Sequence, residues 1–164
     1  MTTILVMGVS GCGKSTVGRL LAERLEGCFI EGDELHPESN IARMSAGIPL
    51  TDEDRRPWLD RIACEAMNKG ASGRPVVIAC SALKAAYRDQ LRGFLPDLVV
   101  VYLKGSPEQI SRRLDTRSGH FMPPALLESQ FADLEEPVKA FAVDVGLSPD
   151  RIVEEILPRI PEQT

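Results

Sequence analysis

The chain has 164 residues, of which 43% are hydrophobic and 26% are charged, a composition typical of a soluble globular protein rather than a disordered one. Lys and Arg together number 19 and Asp and Glu 24, so the net charge is −5. A mildly acidic chain lacks the basic surface that nucleic acids and anionic membranes attract, so we expect neither as a partner.

Apolar runs alternate with amphipathic stretches along the whole sequence. In chain order, we predict a strand at 3–9, a helix at 14–25, a strand at 28–30, a short helix within 37–50, a helix at 52–69, a strand at 75–79, a helix at 85–94, a strand at 98–103, a helix at 107–114, an exposed loop at 115–124, a helix at 125–134, a strand at 141–145 and a helix at 149–157. No repeat or linker divides these elements, so residues 1–164 are predicted to form one domain. Its fold class is α/β, with a five-stranded parallel sheet flanked by helices.

The N-terminus and the cysteines bear on location. The first apolar run stops at Gly8 and has neither a basic leader nor a cleavage site, so we expect neither secretion nor membrane insertion. The cysteines, at positions 12, 28, 64 and 80, show no spacing typical of a metal site. We therefore predict reduced thiols in a cytoplasmic protein.

Residues 8–15, with the sequence GVSGCGKS, match the phosphate-binding pattern GxxxxGK[ST] at every fixed position. The pattern lies between a predicted strand and a predicted helix, where backbone N–H groups and the helix dipole favour phosphate. Lys14 is predicted to contact the β- and γ-phosphates, and Ser15 to bind Mg²⁺. A turn without a ligand is the alternative. The residues expected to bind nucleotide here are Gly8, Ser10, Gly11, Cys12, Gly13, Lys14, Ser15 and Thr16.

A second polar cluster follows the second predicted strand. In parallel sheets ligands bind at the carboxyl ends of the strands, and the clusters at 8–15, 31–36 and 80–84 all fall there. Asp33 is predicted to orient an acceptor hydroxyl and take its proton. Glu31 is predicted to hold Mg²⁺ through water, because the third strand ends without an acidic residue. Two solvated loop carboxylates are the alternative.

Basic side chains indicate an acidic substrate. Lys84 and Arg88 are four residues apart and share a predicted helix face at a strand end, near which Arg55 and His36 are also expected. Cations gathered there suit a substrate that carries a carboxylate, although a solvated basic face would show the same pattern.

A further basic stretch covers the predicted loop and its approach. Arg113, Arg117 and His120 occur there beside Gly119 and two prolines. A lid that closes over a nucleotide and supplies arginines to the transferring phosphoryl group would have this composition, and so would an ordinary charged loop. We expect Arg113 and Arg117 to bind the nucleotide, Arg117 to act in the transfer as well, and residues 115–124 to form the lid.

Taken together, these motifs resemble the gluconokinase family of P-loop kinases. The likeness runs from Gly8 to about Pro137 and rests on the segments GVSGCGKST, EGDELHPESNIARMSAGIPLTDEDRRPWL, CSALKAAYRDQLR and RSGHFMPPALLESQFADLEEP. It implies a three-layer P-loop NTPase fold, similar to nucleoside monophosphate kinases, with a lid. It also implies phosphorylation of D-gluconate on its 6-hydroxyl by ATP with Mg²⁺, in a chain that forms homodimers.

The resemblance also assigns roles to single residues. It implies Asp33 as the base and as a ligand of the acceptor hydroxyl, and it places Arg113 and Arg117 in the lid. It also implies substrate binding by His36, Arg55, Lys84, Arg88 and His120, the last from the GHF segment of the lid. Two positions depart from the family pattern: Cys12 stands where serine is common and Glu31 where aspartate is more usual. Cys12 is expected to bind through its backbone N–H, and the longer Glu31 can still reach a metal-bound water, so we expect activity to persist.

Two other functions remain open at this point. One is a kinase for another small hydroxy acid such as shikimate, against which the LHP and SALK-YR segments argue. The other is a nucleotide-dependent switch that has no acceptor substrate. In such a protein the polar residues at 31–33 and 84–88 would have no ligand to bind.

Overall fold

Strands and helices alternate along the chain as predicted. The structure is a computed structural model that describes residues 1–116 and 124–162. The strands are β1 (Thr3–Met7), β2 (Cys28–Glu31), β3 (Val76–Ala79), β4 (Val99–Lys104) and β5 (Phe141–Asp144). The α-helices are α1 (Lys14–Arg24), α2 (Glu38–Ser45), α3 (Asp52–Gly70), α4 (Ala85–Phe94), α5 (Pro107–Thr116), α6 (Pro124–Asp133) and α7 (Pro149–Ile156), with short 3₁₀ helices at Gly32–Leu35 and Leu157–Arg159.

The five strands form one parallel sheet in the order β2-β3-β1-β4-β5. Glu31 on β2 pairs with Ala79 on β3, and Ala79 pairs in turn with Val6 on β1. Because these three residues lie level with one another, the loops that follow β1, β2 and β3 leave the sheet side by side. This register places the three polar clusters at one edge.

Strand β1 runs through the middle of the molecule and is buried on both faces. Ile4 and Val6 belong to one hydrophobic core, and Leu5 and Met7 belong to the other. Side chains from α1, α5, α6 and α7 fill the first core, and side chains from α3 and α4 fill the second. The predicted α/β sandwich with helices on both faces of a parallel sheet is therefore confirmed.

Helix α3 begins where its sequence provides a capping box. The Thr51 hydroxyl accepts from the Asp54 N–H over 3.1 Å, and the Asp54 carboxylate accepts from the Thr51 N–H over 2.9 Å. The helix then buries one face, including Trp58 and Leu59, against the sheet. Its first turn is thereby fixed beside the carboxyl edge.

The differences from the predicted elements are small and occur at their ends. Strand β1 stops at Met7 rather than at residue 9, because the chain turns at Gly8. Helix α5 extends to Thr116 and α6 starts at Pro124, so the two ends of the predicted 115–124 loop are helical. Residues 117–123 of that loop, with Arg117 and His120, lie outside the described residues. Among the helices that the structure does describe, none is long and apolar enough to span a membrane.

Candidate active site

The loop between β1 and α1 has the backbone shape of a phosphate cradle. Gly11 and Gly13 take φ values of +82° and +93°, which favour glycine because a side chain would be strained there. Within the described part of the chain, the N–H groups of these two glycines have no hydrogen-bond partner. Lys14 folds back over the loop, and its Nζ donates to the Val9 carbonyl over 3.0 Å. The loop thus combines two unused backbone donors with one ammonium group that bonds back to it.

Ser15 and Glu31, the two predicted metal ligands, are in direct contact. The Ser15 hydroxyl donates to a Glu31 carboxylate oxygen at the carboxyl edge of the sheet. Mg²⁺ commonly takes one or two protein oxygens and completes its shell with water and phosphates, and this pair fits that donor set. Over the described ranges 1–116 and 124–162, no group of three or more His, Cys, Asp or Glu side chains could hold a metal ion. A metal ion at Ser15 and Glu31 would therefore need water or phosphate oxygens as further ligands.

Asp33 lies just past the end of β2, in the 3₁₀ helix Gly32–Leu35. The Trp58 indole Nε1–H donates to the Gly32 carbonyl over 2.7 Å and so ties this turn to α3. The Asp33 side chain itself is exposed. β3 separates β2 from β1, and the register of these three strands brings Asp33 to the same edge as the phosphate loop, as the sequence predicts.

Cys80, which follows β3, marks where the donor and acceptor residues converge. Burial raises the pKa of its thiol to about 12, and the charges of Asp33, Lys14 and Glu31 all act on that one group. The thiol is therefore neutral, and it lies at the end of β3, between the strands that lead to Lys14 and to Asp33.

His36 is held in a defined neutral form. Its ring stacks on Trp58 with centroids 4.1 Å apart. Asn40 Nδ2 donates to the Asp54 carbonyl over 2.9 Å and lies 3.2 Å from His36 Nδ1, so Nδ1 must accept from this amide nitrogen and Nε2 carries the proton. Burial lowers the pKa of His36, an effect that Asp33 partly opposes. His36 therefore presents an N–H donor at neutral pH.

Arg55 and Lys84 meet around Tyr87, which sequence reasoning missed. Arg55 Nη1 donates to the Tyr87 hydroxyl over 3.2 Å and to the Leu50 carbonyl over 2.8 Å. Lys84 Nζ donates to the Asp52 carboxylate over 3.0 Å, and the Tyr87 hydroxyl donates to the same carboxylate. These bonds, that from Tyr87 first, lower the pKa of Asp52. The cluster therefore links two cations through Tyr87, because Arg55 bonds to its hydroxyl and Lys84 shares the Asp52 carboxylate with that hydroxyl.

Arg88 has a different environment from the one predicted. Its side chain is only 3% exposed, so it does not share an open basic face with Lys84. Nη1 donates to the carbonyls of Ala82 and Leu83 over 2.8 and 3.0 Å, and Nη2 donates to the Glu135 carbonyl over 2.8 Å. All of these partners are backbone oxygens, and they tie the turn after β3 to the chain beyond α6.

Arg113 and Gln130 join the phosphate loop to the two helices that flank residues 117–123. Arg113 Nη1, on α5, donates to the Cys12 carbonyl over 3.2 Å and to the Val145 carbonyl over 3.1 Å. Gln130, on α6, exchanges two hydrogen bonds with Ser10. Arg113 thus reaches the predicted nucleotide side, whereas nothing in the sequence pattern singled out Gln130.

Several residues of this edge gave weak signals or none in the sequence. Trp58 is a buried core residue, and it also contacts the site through His36 and Gly32. Asn40 is only 2% exposed. It lies in a polar stretch of the sequence, so nothing in the sequence indicates that its amide is buried. Asp52 and Tyr87 lie inside quoted motifs, but their pairing depends on how α3 packs against α4.

Known proteins resemble this chain over most of its length. The family model described as shikimate kinase matches residues 10–160. The thermosensitive gluconokinase of Escherichia coli strain K12 is 47% identical over 82% of this chain and 72% of its own. A probable gluconokinase of Mus musculus is 45% identical over 97% of this chain and 95% of its own. The solved structure of a gluconokinase from Sinorhizobium meliloti is 50% identical, superposes with a TM-score of 0.84, and covers 96% of this chain and 90% of that one.

Proposed function

The chain belongs to the gluconokinase family, within the wider group that the shikimate kinase model describes, and on that premise we propose that it transfers the γ-phosphoryl group of ATP to the 6-hydroxyl of D-gluconate. The products are 6-phospho-D-gluconate and ADP. The membership agrees with the family resemblance in the sequence. One observation supports the reaction best: the hydroxyl of Ser15, which follows Lys14 at the start of α1, donates to the carboxylate of Glu31, two residues before Asp33.

The phosphate loop supplies the donor side of the proposed reaction. The unused N–H groups of Gly11 and Gly13 bind phosphate oxygens, and Lys14 exchanges the Val9 carbonyl for the β- and γ-phosphates. The predicted contacts of Ser15 and Thr16 are kept as proposals. The N–H groups of the other three predicted residues donate within the protein instead: Gly8 to the Ser81 carbonyl over 3.4 Å, Ser10 to Gln130 Oε1 over 2.7 Å and Cys12 to the Val9 carbonyl over 3.3 Å. Arg113 lies against the loop through the Cys12 carbonyl and is placed to approach the nucleotide. Arg117 and His120, which the structure does not describe, keep their predicted lid roles as proposals.

Ser15 and Glu31 would hold the magnesium ion that accompanies ATP. Their contact shows that the hydroxyl and the carboxylate share one position at the edge of the sheet. When bound there, Mg²⁺ neutralises phosphate charge that would otherwise repel the acceptor oxygen. The longer side chain of Glu31, compared with aspartate, is sufficient to reach Ser15.

Asp33 is proposed to act on the acceptor hydroxyl. Its carboxylate is exposed at the strand end and accepts the proton of the 6-hydroxyl as the oxygen attacks the γ-phosphorus and the bond to the β-phosphate oxygen breaks. His36 Nε2–H, available at neutral pH, donates to a hydroxyl of the substrate. Trp58 supports both residues, since it bonds to the turn of Asp33 and stacks on the ring of His36.

The Arg55–Lys84 pair is proposed to bind the carboxylate of gluconate. Lys84 bonds to Asp52 in the structure, and a substrate carboxylate can take over that bond, with Arg55 held nearby by the Tyr87 hydroxyl. Arg88, buried and bonded to backbone, is proposed to shape the turn that carries Lys84 rather than to contact the acid. Shikimate also carries a carboxylate, so the acceptor must be tested directly.

The oligomeric state and location remain predictions. The described cysteines are free thiols, which is compatible with the predicted cytoplasmic location. A homodimer is expected from the family resemblance, and its test is the mass of the protein in solution.

The direct test of this function is ADP release from Mg·ATP with D-gluconate, with shikimate and with epimers of gluconate. We expect strong stimulation by D-gluconate and weak stimulation by the other acids. If another acid stimulates and gluconate does not, the phosphate loop is supported and the acceptor is wrong. A slow ATP hydrolysis that no acid changes would instead favour a nucleotide-dependent switch.

A further inference from the structure

The side-chain amide of Gln130 forms two hydrogen bonds with Ser10 of the phosphate loop. The Ser10 N–H donates to Gln130 Oε1 over 2.7 Å, and Gln130 Nε2 donates to Ser10 Oγ over 2.8 Å. Both side chains are half-buried. A flipped amide would place its NH₂ group against the Ser10 N–H, donor against donor, so the orientation of Gln130 is fixed by the pair of bonds.

These bonds act on the part of the loop that needs support. Ser10 immediately precedes Gly11, the first of two glycines with left-handed backbone and unused N–H groups. A glycine-rich segment gains conformational freedom when its neighbours are released, and that freedom must be lost again when a ligand binds. A contact that holds Ser10 therefore keeps the following N–H groups in place before the nucleotide arrives.

Helix α6 is itself anchored on the acceptor side, which makes it a rigid support. Just after the helix, the Glu135 N–H donates to the Leu83 carbonyl over 2.9 Å. The Glu135 carbonyl accepts from the buried Arg88 guanidinium. The same short stretch of chain thus connects the phosphate loop with the turn after β3.

We propose that Gln130 is a positioning residue for the nucleotide, acting through Ser10. Both of its side-chain hydrogen bonds go to Ser10, and it preorganises the loop so that phosphate binding costs less ordering. This inference rests on the proposed kinase function, and it predicts an effect on nucleotide affinity that is separate from gluconate binding.

The variant Gln130→Met tests this, because it removes both hydrogen bonds while keeping a similar side-chain length. We expect the Kd for ADP, measured by calorimetry, and the KM for ATP to rise about tenfold, because a released loop must be ordered again when the nucleotide binds. The KM for gluconate at saturating ATP should stay unchanged. A merely structural contact would lower thermal stability without separating these two constants.

Gln90→Met is the matched control. Gln90 Nε2, on α4, also donates two hydrogen bonds to another helix, to the Arg56 carbonyl over 2.9 Å and to the Asp60 carboxylate over 2.8 Å. We expect this variant to lose comparable stability and to keep the wild-type ADP affinity. Comparison of the two variants separates a general loss of helix packing from an effect on the loop.

Ser10→Ala supplies a second and milder variant, which also serves if Gln130→Met does not fold. It deletes only the bond to Oγ, so it should weaken ADP binding less than Gln130→Met does. In the Gln130→Met background it should add nothing, because its partner is already gone.

The inference is overturned if either loop variant binds ADP as tightly as the wild type, or if the gluconate KM of Gln130→Met rises in parallel with the ATP KM. ADP binding needs no acceptor. A wild-type protein that binds ADP and fails to phosphorylate gluconate would therefore contradict the proposed function, while the ADP affinities would still decide the role of Gln130.

Discussion

At the scale of single residues, the acceptor side is held by polar groups that satisfy one another. Asn40 fixes the tautomer of His36, and Trp58 supports that ring from its face. Asp52 keeps the Lys84 ammonium and the Tyr87 hydroxyl in one place. Because each group already has a partner, the substrate meets side chains whose orientations are set, and little ordering is left for the binding step.

Lys84→Met tests the proposed carboxylate contact. The variant removes the ammonium and keeps the length of the side chain, so we expect the KM for gluconate to rise about tenfold, as for the loss of a charged hydrogen bond, while the KM for ATP stays the same. Lys104→Met is the control, since Lys104 also pairs with a carboxylate, that of Glu136, over 3.3 Å. Equal gluconate KM values in the two variants would remove Lys84 from the substrate site.

The buried His36 predicts a pH dependence of stability. Burial lowers its pKa in the folded protein, so protonation favours the unfolded state. The stabilisation from neutral His36 is fully present above its ordinary pKa of about 6.5 and decreases as the pH falls below that value. We expect urea unfolding to show a free energy that drops between pH 7.5 and 5.

His36→Asn identifies the source of that drop. The asparagine has no titrating group, so its unfolding free energy should change less with pH than that of the wild type, whatever stability the lost stacking costs. The same slope in both proteins would assign the pH dependence to other groups.

At the scale of secondary structure, the start of α3 sets the position of the acceptor cluster. The capping box of Thr51 and Asp54 fixes the first turn, and that turn carries Asp52 and Arg55. The cap is therefore expected to affect substrate binding as well as helix stability. The cap can be recognised in the sequence from the spacing of Thr51 and Asp54. The partners of Asp52 and Arg55, however, become known only from the packing of α3 against α4.

Thr51→Ala measures how far this cap acts on the site. We expect a loss of about 1 kcal/mol of stability together with a severalfold rise in the gluconate KM. Ser148→Ala is the matched control, because Ser148 caps α7 in the same way by accepting from the Arg151 N–H. It should cost similar stability and leave the gluconate KM unchanged. An unchanged gluconate KM in Thr51→Ala would show that the cap supports only the fold.

At the scale of the whole molecule, the sheet brings the loops after β1, β2 and β3 to one edge. Apolar periodicity predicted every strand, and the glycine spacing predicted the phosphate loop, because both signals are local in the sequence. The partners of Arg88 and Gln130 could not be predicted in this way. Arg88 bonds to backbone 47 residues away and Gln130 to a serine 120 residues away, and no local pattern encodes such contacts.

The central claim is that this edge aims the 6-hydroxyl of gluconate at ATP, with Asp33 as the acceptor of its proton. Single-turnover phosphoryl transfer in Asp33→Asn, measured by rapid quench alongside the Kd for ATP, tests it most directly. We expect the transfer rate to fall about 100-fold or more while ATP affinity remains that of the wild type. Transfer at the wild-type rate in Asp33→Asn would contradict the account and require another group to take the proton.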